Sequence, residues 1–446
     1  MRNKRLIIVL AGLIGLLNLN AEAQNGFNMP LSQFGVGSSE LPFNMPMATR
    51  MGGAVYTMAG NNYVNPFNPA SYASVQMESF VFDMGMNIQV SRLRAGNEKQ
   101  SDADGNLGYL AVAMPVTRWW KVAAGLMPYS QVDYESVSQQ TGDDFGTVKT
   151  IYDGTGGVSQ VFFGSAFNLI GNGKEGQRLQ AGFNINYLTG RVQRAISYKF
   201  MGNDSTFYMN KRRYKQTSVH NLVFDLGVQY WQPIGEKYTM VAGLVYKPYR
   251  SMDVDDLAMI YTYHSSDESL VDTVFPLPGE DPEFESNLEL SHTFGIGLSF
   301  ERNNQWKVAV DATFAKWNDI KYTENPLHSI FGASALSYGP YSRYAVGFEK
   351  IGNMDAAKYV GRISWSVGAH LQNGVTYLHL NGLEHRMDEW GIGAGMTLPM
   401  RKGRSLLTLS VGYSSLGTTD VVQRNSVTFG IAVSSCERWF VKRKYN

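Results

Sequence analysis

The chain has 446 residues, of which 44% are hydrophobic and only 17% charged, with 46 glycines and a formal net charge of +1. This balance gives no support to nucleic-acid binding, which needs a concentrated basic face. A soluble protein of this length usually carries more Lys, Glu and Leu, arranged with helical periodicity. The single cysteine, Cys436, excludes an intrachain disulfide framework and a Cys-based metal site.

The N-terminus has the features of an export signal. Arg2, Lys4 and Arg5 are basic, residues 6–17 form an apolar run, and residues 21–23 match an A-x-A cleavage site. A membrane-spanning helix is the alternative, but it needs roughly 20 apolar residues and this run has about a dozen. We therefore predict a signal peptide over residues 1–23 and an exported chain that begins at Gln24.

Residues 24–50 combine large apolar side chains with prolines, so no regular element can accommodate them. A solvated tail would not carry so many apolar groups. Either these side chains pack against the rest of the protein, or flexible Met groups help to line a site for an apolar ligand of variable shape. With two aromatic residues from the next segment, the predicted ligand-binding residues are Phe27, Met29, Phe34, Phe43, Met45, Met47, Tyr56 and Phe67.

The next segment, residues 51–73, is irregular and reads MGGAVYTMAGNNYVNPFNPASYA. Pro66 and Pro69 remove backbone donors, and Gly52-Gly53 permits positive φ or a close backbone approach. A loop of about twenty residues is uncommon inside a compact domain unless it is functional. Because strands follow to the C-terminus, we predict that residues 24–76 form a plug and that the sheet of residues 77–446 surrounds it.

From residue 77 onward, one apolar face alternates with a small or polar face. Phe294, Ile296 and Leu298, for example, alternate with Gly295 and Gly297. A β-sandwich gives the same alternation, so the connections must decide between the two folds. The predicted strands lie at residues 77–92, 106–116, 119–137, 157–170, 178–200, 207–231, 237–250, 284–301, 305–319, 341–351, 358–372, 387–399, 404–416 and 425–440.

Short and long connections alternate between these fourteen predicted strands. The predicted long connections include residues 91–105, 138–156 and 251–283, and the short ones include residues 117–118 and 302–304. An even strand count, short turns at one rim and longer loops at the other are typical of a transmembrane antiparallel β-barrel of the outer membrane. Aromatic residues near the strand ends, such as Trp119, Trp231 and Trp439, fit interfacial girdles.

The irregular segment resembles the plug of a known family. Its pattern GGA…NPFNPASYA, with Gly52, Gly53, Ala54, Asn68, Pro69 and Ala70, is similar to the FadL/TodX family of outer-membrane transporters for hydrophobic compounds. Three later stretches, at residues 343–349, 391–395 and 438–440, resemble the Bacteroidota branch of that family. The resemblance implies a fourteen-stranded barrel with an N-terminal plug. It also implies passive uptake of fatty acids or hydrocarbons, with capture at extracellular loops, a lumen site near the plug and lateral release.

Pro128 lies part-way along the third predicted strand. Proline cannot donate to a strand ladder, and within sheets it is confined to edges, strand starts or bulges. A barrel has no free edge, so Pro128 should mark a break in pairing. That break is either a bulge near the rim or, as the resemblance implies, a kink that opens a side window to the bilayer. Plug residues such as Tyr56 or Phe67 should line such a window, because unpaired backbone is costly in lipid.

The alternation also predicts which side chains face lipid and which face the lumen. The predicted lipid-facing residues are Phe183, Phe224, Phe294, Ile296, Leu298, Val367 and Phe429. The predicted lumen-facing residues are Gln180, Asp225, Asp311 and His370.

Catalytic and metal-binding functions find little support. The seven histidines lie in no recognisable catalytic spacing. The acidic region at residues 251–285 lacks the order of an EF-hand and is expected to be a hydrated loop. We predict no enzyme activity, no cofactor and no resident metal.

Two functions remain after these exclusions. The first is the uptake channel, whose partners would be a hydrophobic small molecule and outer-membrane lipid. The alternative is a non-transporting barrel that docks or shuttles within a larger outer-membrane complex, as some relatives that resemble this family do.

Overall fold

A computed structural model describes residues 42–96, 98–142, 146–171, 176–201, 209–264, 270–275, 283–317, 322–323, 336–374, 376–380, 383–400, 404–418 and 421–438. The predicted signal peptide and the predicted ligand residues Phe27, Met29 and Phe34 lie outside the described residues.

The described chain consists of strands with three short helical turns. The turns are α1 (Pro46–Thr49), the 3₁₀ turn η1 (Pro69–Ser74) and the 3₁₀ turn η2 (Tyr359–Arg362). The first eleven strands are β1 (Ser79–Ala95), β2 (Glu98–Pro115), β3 (Trp120–Gly142), β4 (Gly146–Ile170), β5 (Arg178–Met201), β6 (Asn210–Ile234), β7 (Tyr238–Lys247), β8 (Arg250–Tyr263), β9 (Leu270–Phe275), β10 (Glu283–Leu290) and β11 (Thr293–Arg302). The others are β12 (Trp306–Lys316), β13 (Tyr322–Thr323), β14 (Leu336–Tyr338), β15 (Pro340–Lys350), β16 (Ser364–Gln372), β17 (Thr376–Leu380), β18 (Leu383–Arg386), β19 (Glu389–Met400), β20 (Ser405–Gly417) and β21 (Gln423–Arg438).

The main sheet closes on itself as an antiparallel barrel. β1 pairs with β2 on one side and with β21 on the other, from Ser79 opposite Arg438 to Arg94 opposite Gln423. The pairs β7 with β8, β10 with β11 and β12 with β13 are each two segments of one wall strand, and β9 lies beyond the wall. The other segments of this 18-stranded sheet therefore form a closed barrel of fourteen strands, and the predicted fold is confirmed. β14, β17 and β18 form a separate small sheet.

The two rims of the barrel differ. Ser79 and Arg438 lie at one rim, which we call the terminal rim, and the opposite one is the distal rim. Tight turns join strands at the terminal rim, where Gly235 and Asn304 adopt positive φ of 61° and 58°. Such left-handed positions are typical of tight turns and favour Gly and Asn.

Three predicted long loops are wrong. β1 and β2 continue through most of residues 91–105, β3 and β4 through most of residues 138–156, and β8, β9 and β10 occupy most of residues 251–283. Residues 98–105 form a strand although their composition is typical of a loop. On β8, Met252 and Val254 are buried and alternate with exposed Asp253 and Asp255, so that stretch has one apolar face.

The barrel wall has an uneven height. β3 to β6 have 23 to 25 residues each, whereas β15 has 11 and β16 has 9. A strand needs only about 9–11 residues to cross a bilayer. The long strands therefore project past the membrane at the distal rim. We call this projection the distal sheet: residues 130–142, 146–158, 188–201 and 210–221, with β8 and β9.

The exposure of side chains confirms the predicted orientation. Phe294, Ile296, Leu298 and Phe429 are about half exposed on the outer face, as expected for lipid-facing groups. Among the predicted lumen-facing residues, Gln180, Asp225, Asp311 and His370 are all buried. Phe183, which was predicted to face lipid, is less exposed than these residues because it packs against Phe167, with the ring centroids 6.4 Å apart. No helix in the described part of the chain is long and apolar enough to cross a membrane.

Candidate functional site

The N-terminal segment, residues 42–76, is held in an irregular course by its own side chains. Gly52 and Gly53 have φ of 63° and 86°, a region that only glycine adopts freely. Asn68 caps η1 by accepting from the Ala70 N–H at 3.2 Å. Asn65 Nδ2 donates to two backbone carbonyl oxygens of the same segment. These bonds replace the regular backbone pairing that the two prolines prevent.

Inward-facing glycines allow this segment to approach the wall closely. A Cβ added at Gly182, Gly243 or Gly368 would collide with segment backbone. Glycine at such positions has no side chain to pack, and this allows the backbone of the segment to contact the backbone of the wall. The glycine ring, as we call it, has members on twelve of the fourteen wall strands: Gly85, Gly108, Gly164, Gly182, Gly227, Gly243, Gly295, Gly347, Gly368, Gly393, Gly412 and Gly430.

Carboxylates from the wall bind backbone amides of the segment. Asp311 Oδ2 accepts from the N–H groups of Val55 at 2.5 Å and Tyr56 at 2.8 Å. Asp83 Oδ2 accepts from the Val64 N–H at 3.0 Å. Both carboxylates are fully buried, so these bonds replace the water that the charges lose.

One buried ion pair adds a further attachment. Arg50 Nη1 lies 2.8 Å from Glu349 Oε1 and donates to Ser366 Oγ at 2.9 Å. Arg50 is only 3% exposed, and loss of either partner would leave a buried charge uncompensated. The segment is therefore fixed on several sides of the barrel.

The predicted ligand residues within the described chain occupy two environments. Met45, Met47, Tyr56 and Phe67 are buried in an apolar cluster shared by segment and wall. Tyr56 also hydrogen-bonds Thr313 on β12, so it does not line the region of Pro128. Ligand binding by these residues stays a prediction.

Phe43 has a different, more polar environment. It is only half-buried, and its ring lies at a tilt of 33° to that of His370, with the ring centroids 4.3 Å apart. The guanidinium carbon of Arg343 lies 5.9 Å from the same ring. Arg343 and His370 are both buried. Arg343 Nη1 and the ring nitrogens of His370 have no hydrogen-bond partner, and His370 Nε2 lies 3.9 Å from Glu389 Oε1.

An apolar cluster lies on the inward face of the wall, on the distal side of the segment. Its members alternate with outward residues on β4, β5, β6, β8 and β10, and they are nearly inaccessible. The distal lumen cluster consists of Val158, Leu188, Val219, Met252, Val254 and Leu288, with Tyr129, Val223 and Leu290 packed against it. The sequence prediction missed this cluster because part of it was assigned to a loop. The alternation of Met252 and Val254 with charged residues was the available signal.

Strand pairing breaks at Pro128, as the sequence predicted. Pro128 lies opposite Ser159 and Ser130 opposite Val158, so Tyr129 is an extra residue on β3. On its other side, β3 pairs with β2 only as far as Leu126, opposite Leu110. Beyond that point the two strands are bridged by side chains, with Asn106 Nδ2 donating to Gln131 Oε1 at 3.4 Å. A break is present, and its role as a lateral opening stays a prediction.

The acidic region is not a hydrated loop in its described part. Asp256 is buried, accepts from Thr217 and Ser286, and lies 3.2 Å from Lys215 Nζ. No group of three or more His, Cys, Asp or Glu residues among those described is placed to hold a metal ion.

Comparisons with known proteins agree with this architecture. The profile of the BamG family matches residues 3–446. Among solved structures, the CymD monoaromatic hydrocarbon channel has a TM-score of 0.54 at 13% identity, covering 90% of this chain and 99% of that chain. The Ralstonia pickettii toluene transporter TbuX has a TM-score of 0.51 at 13% identity, covering 88% and 97%.

A Pseudomonas aeruginosa FadL homologue has a TM-score of 0.51 at 11% identity, covering 89% of this chain and 98% of that chain. No curated protein matches the sequence. At these identities the likeness to solved structures shows a shared fold, that of FadL-type outer-membrane barrels.

Proposed function

Because the chain belongs to the BamG family and folds as a FadL-type barrel, we propose that it is an outer-membrane channel for passive uptake of hydrophobic compounds. The compounds would be long-chain fatty acids or hydrocarbons. The solved neighbours are, by their titles, channels or transporters for toluene and monoaromatic hydrocarbons.

One observation carries the proposal: the distal lumen cluster reaches the break in the wall. Tyr129, the extra residue at that break, packs against the cluster. An apolar molecule that entered from the distal rim would meet apolar side chains and then a place where β2 and β3 are no longer paired. Transfer from there into bilayer hydrocarbon is favourable, whereas transfer into the periplasm is not.

The N-terminal segment would act as the plug in this scheme. Its glycine-ring contacts and buried hydrogen bonds hold it across the lumen on the side of the terminal rim. A plug there would favour sideways release. Met127 and Phe162 belong to the same apolar cluster as segment residue Tyr72, so protein side chains line the wall near the break.

Replacement of Pro128 tests the route. Pro128→Val restores a backbone donor and should extend β2–β3 pairing, which would close the opening. In proteoliposomes we expect uptake of a labelled long-chain fatty acid to fall about tenfold or more while the barrel stays folded. Pro115→Val, at the terminal rim where pairing is continuous, is the matched control. Normal uptake by the Pro128→Val protein would end the lateral-exit model.

A second candidate function is that of a non-transporting subunit of an outer-membrane complex. BamG family membership hints at such a role. The distal sheet supports it, because β3 beyond Leu126 pairs only with β4 among the described strands. An unpaired strand edge is a template for a strand from another chain. Reciprocal purification from native membranes, through a tag on either protein, should then yield a stoichiometric complex, and a chain that always purifies alone would argue against it.

A further inference from the structure

The seam between β2 and β3 is open along its distal part. The two strands pair only between residues 110–115 and residues 121–126. Beyond that stretch β2 pairs with β1 as far as Glu98, and β3 pairs with β4 as far as Gly142. Among the described residues, neither strand is paired with a second strand there. Each therefore presents a row of backbone N–H and C=O groups toward the other.

The two open edges run side by side beyond the membrane. Asn106 Nδ2 donates to Gln131 Oε1 at 3.4 Å, and this contact marks which parts of the two strands face each other. Counted from the contact in opposite directions, residues 98–106 of β2 face residues 131–139 of β3. We call the opening between these two stretches the distal slot. It is roughly 30 Å long, since a strand rises about 3.4 Å per residue.

Carboxylates from both strands line the distal slot. In the counted register, Asp104 lies opposite Asp133 and Asp102 lies opposite Glu135. Burial, with the charges of Asp102 and Asp104, raises the pKa of the Asp133 carboxyl, so these groups lie within electrostatic range of one another. Like charges directly opposite each other destabilise strand pairing. The carboxylates therefore favour an open slot over direct pairing of β2 with β3.

The edge of β3 in the slot has little protection against pairing with another chain. Natural edge strands are commonly blunted by lysine, by proline or by a bulge. Here the bulge at Tyr129 lies before the slot, and residues 130–142, SQVDYESVSQQTG, contain no Lys, Arg or Pro. The only charged side chains in this stretch are Asp133 and Glu135. They would repel an acidic strand and attract a basic one.

The two faces of β3 indicate what an added strand should carry. Val132 and Tyr134 are buried and pack with Val192 of β5. Asp133 and Glu135 alternate with them, so they lie on the opposite face. Residues directly opposite on neighbouring strands share a face and interact. An added strand would therefore place apolar residues beside Val132 and Tyr134 and basic residues beside Asp133 and Glu135.

We propose that the distal slot binds an extended segment of a partner protein, in which Lys or Arg alternates with apolar residues, as an added strand on β3. This inference rests on the second candidate function, that of a subunit of an outer-membrane complex, and it names the surface and the chemistry of one contact. Backbone hydrogen bonds to the β3 edge would supply affinity, and the carboxylates would select a basic segment.

Equilibrium binding of blocked nine-residue peptides to the full-length protein in amphipol tests the slot. The first peptide alternates Lys with Val and Tyr, and the second carries Glu in place of each Lys. The third has the Lys sequence with every backbone nitrogen methylated, so it cannot donate to β3. The variant Asp133→Asn/Glu135→Gln removes two carboxylates of the slot. The matched control, Asp253→Asn/Asp255→Asn, removes the same charge from exposed positions of β8, which pairs with both β6 and β10.

We expect the Lys peptide to bind the slot variant about tenfold more weakly than the unaltered protein, because two opposite-charge pairs are lost. The control variant should bind it normally, and the Glu and methylated peptides should not bind measurably. Amide hydrogen exchange at residues 131–139 should slow when the Lys peptide binds, as strand addition requires. Equal binding of the Lys and Glu peptides would overturn the proposal, as would binding without slower exchange at residues 131–139.

Further outcomes separate the slot from the subunit function. If the double variant does not fold, Glu135→Lys, a single change at an exposed position, should abolish binding of the Lys peptide. A dimer of the full chain that light scattering detects without peptide, and that Glu135→Lys disrupts, would overturn the proposal by assigning the slot to a second copy. Peptide binding by a chain that always purifies alone would refute the subunit function and leave the slot. A complex that purifies unchanged with the Glu135→Lys protein would refute the slot and leave the subunit function.

Discussion

The two halves of the lumen share one barrel wall but differ in what fills them. Toward the terminal rim, inward positions such as Gly243 and Gly368 carry no side chain, and the N-terminal segment fills the space with its own backbone. Toward the distal rim, inward positions such as Leu188 and Val254 carry apolar side chains that pack on one another. The choice between glycine and an aliphatic residue at an inward position therefore decides whether the lumen is filled by polypeptide backbone or by apolar side chains of the wall.

The largest expected effect comes from adding a side chain to the glycine ring, because it would block the close approach of the N-terminal segment to the wall. A Cβ at Gly368 would meet backbone atoms of Met51 and Gly52, which cannot move as a flexible side chain would. We expect Gly368→Val to prevent refolding of the complete barrel, or to expel the segment. Protease digestion of refolded protein would then cut within residues 42–76. Gly105→Val is the control, since its nearest neighbour atom, Ile88 Cγ1, lies at 3.9 Å.

Removal of a carboxylate that binds the segment should have the next largest effect. Asp311→Ala leaves two buried amides without an acceptor, at a cost of roughly 1–3 kcal/mol each. The free energy of unfolding in urea is the measurement. The same change at exposed Asp255 should alter it by less than about 0.5 kcal/mol. Equal effects at the two positions would contradict the role given to Asp311.

A charge placed on either face of β21 tests the orientation of the wall. Phe429→Lys puts a cation on the lipid face and should cost roughly 2–4 kcal/mol near mid-bilayer. Thr428→Lys puts the same group on the lumen face beside Gln89 and should cost much less. Refolding into vesicles of defined thickness compares the two. Similar costs would show that the assigned register is wrong.

The smallest expected effect concerns Asp133 on the distal sheet, beyond the membrane. Burial, with Asp102 and Asp104 nearby, raises the pKa of this carboxyl from 3.8 to about 6. The folded state then binds more protons than the unfolded state between about pH 4 and pH 6, so this group lowers stability as the pH rises through that window. Asp133→Asn should be more stable than the unaltered protein at pH 7, by under about 1 kcal/mol because the site is partly solvated.

Below about pH 3 the two proteins should differ by a constant amount that no longer depends on pH, since Asp133 is then largely protonated in both states. Unfolding measured across this range checks the difference. Asp102→Asn removes one of the charges that raise the pKa of Asp133, so it should move the transition to lower pH. A transition that does not move would contradict this account of the shift.

The fold could be predicted from the sequence wherever a strand has lipid on one side. There the period of two is visible, as at Phe294, Ile296 and Leu298, and the fourteen strands follow. The full lengths of β5 and β6 were predicted, at residues 178–200 and 207–231, whereas the distal ends of β2, β3 and β4 were assigned to loops because those stretches are rich in polar residues and glycine. Residues 98–105, EKQSDADG, are strand in spite of a composition typical of a loop.

The candidate site could be predicted only in part. Gly52 and Gly53 indicated an irregular segment, and both adopt positive φ. Pro128 indicated a break in strand pairing, and the pairing is irregular there. Tyr56 was predicted to lie near the break, but it lies against β12. Its position depends on the path of an irregular backbone, and a periodic sequence pattern gives no information about that path.

The central claim is that hydrophobic compounds leave the lumen between β2 and β3, and a reversible closure of that gap tests it most directly. In a Cys436→Ser background, cysteines at residues 106 and 131 face each other at the distal end of the gap, next to the start of the distal sheet at residue 130, and can be joined by a short, reducible bis-thiosulfonate linker. Cysteines at Ser91 and Ser426, on the closed β1–β21 seam, form the control pair. We predict that the linker at residues 106 and 131 stops fatty-acid uptake into proteoliposomes, that a reductant restores it, and that the control linker has no effect. Undiminished uptake with the gap fully cross-linked would contradict the account.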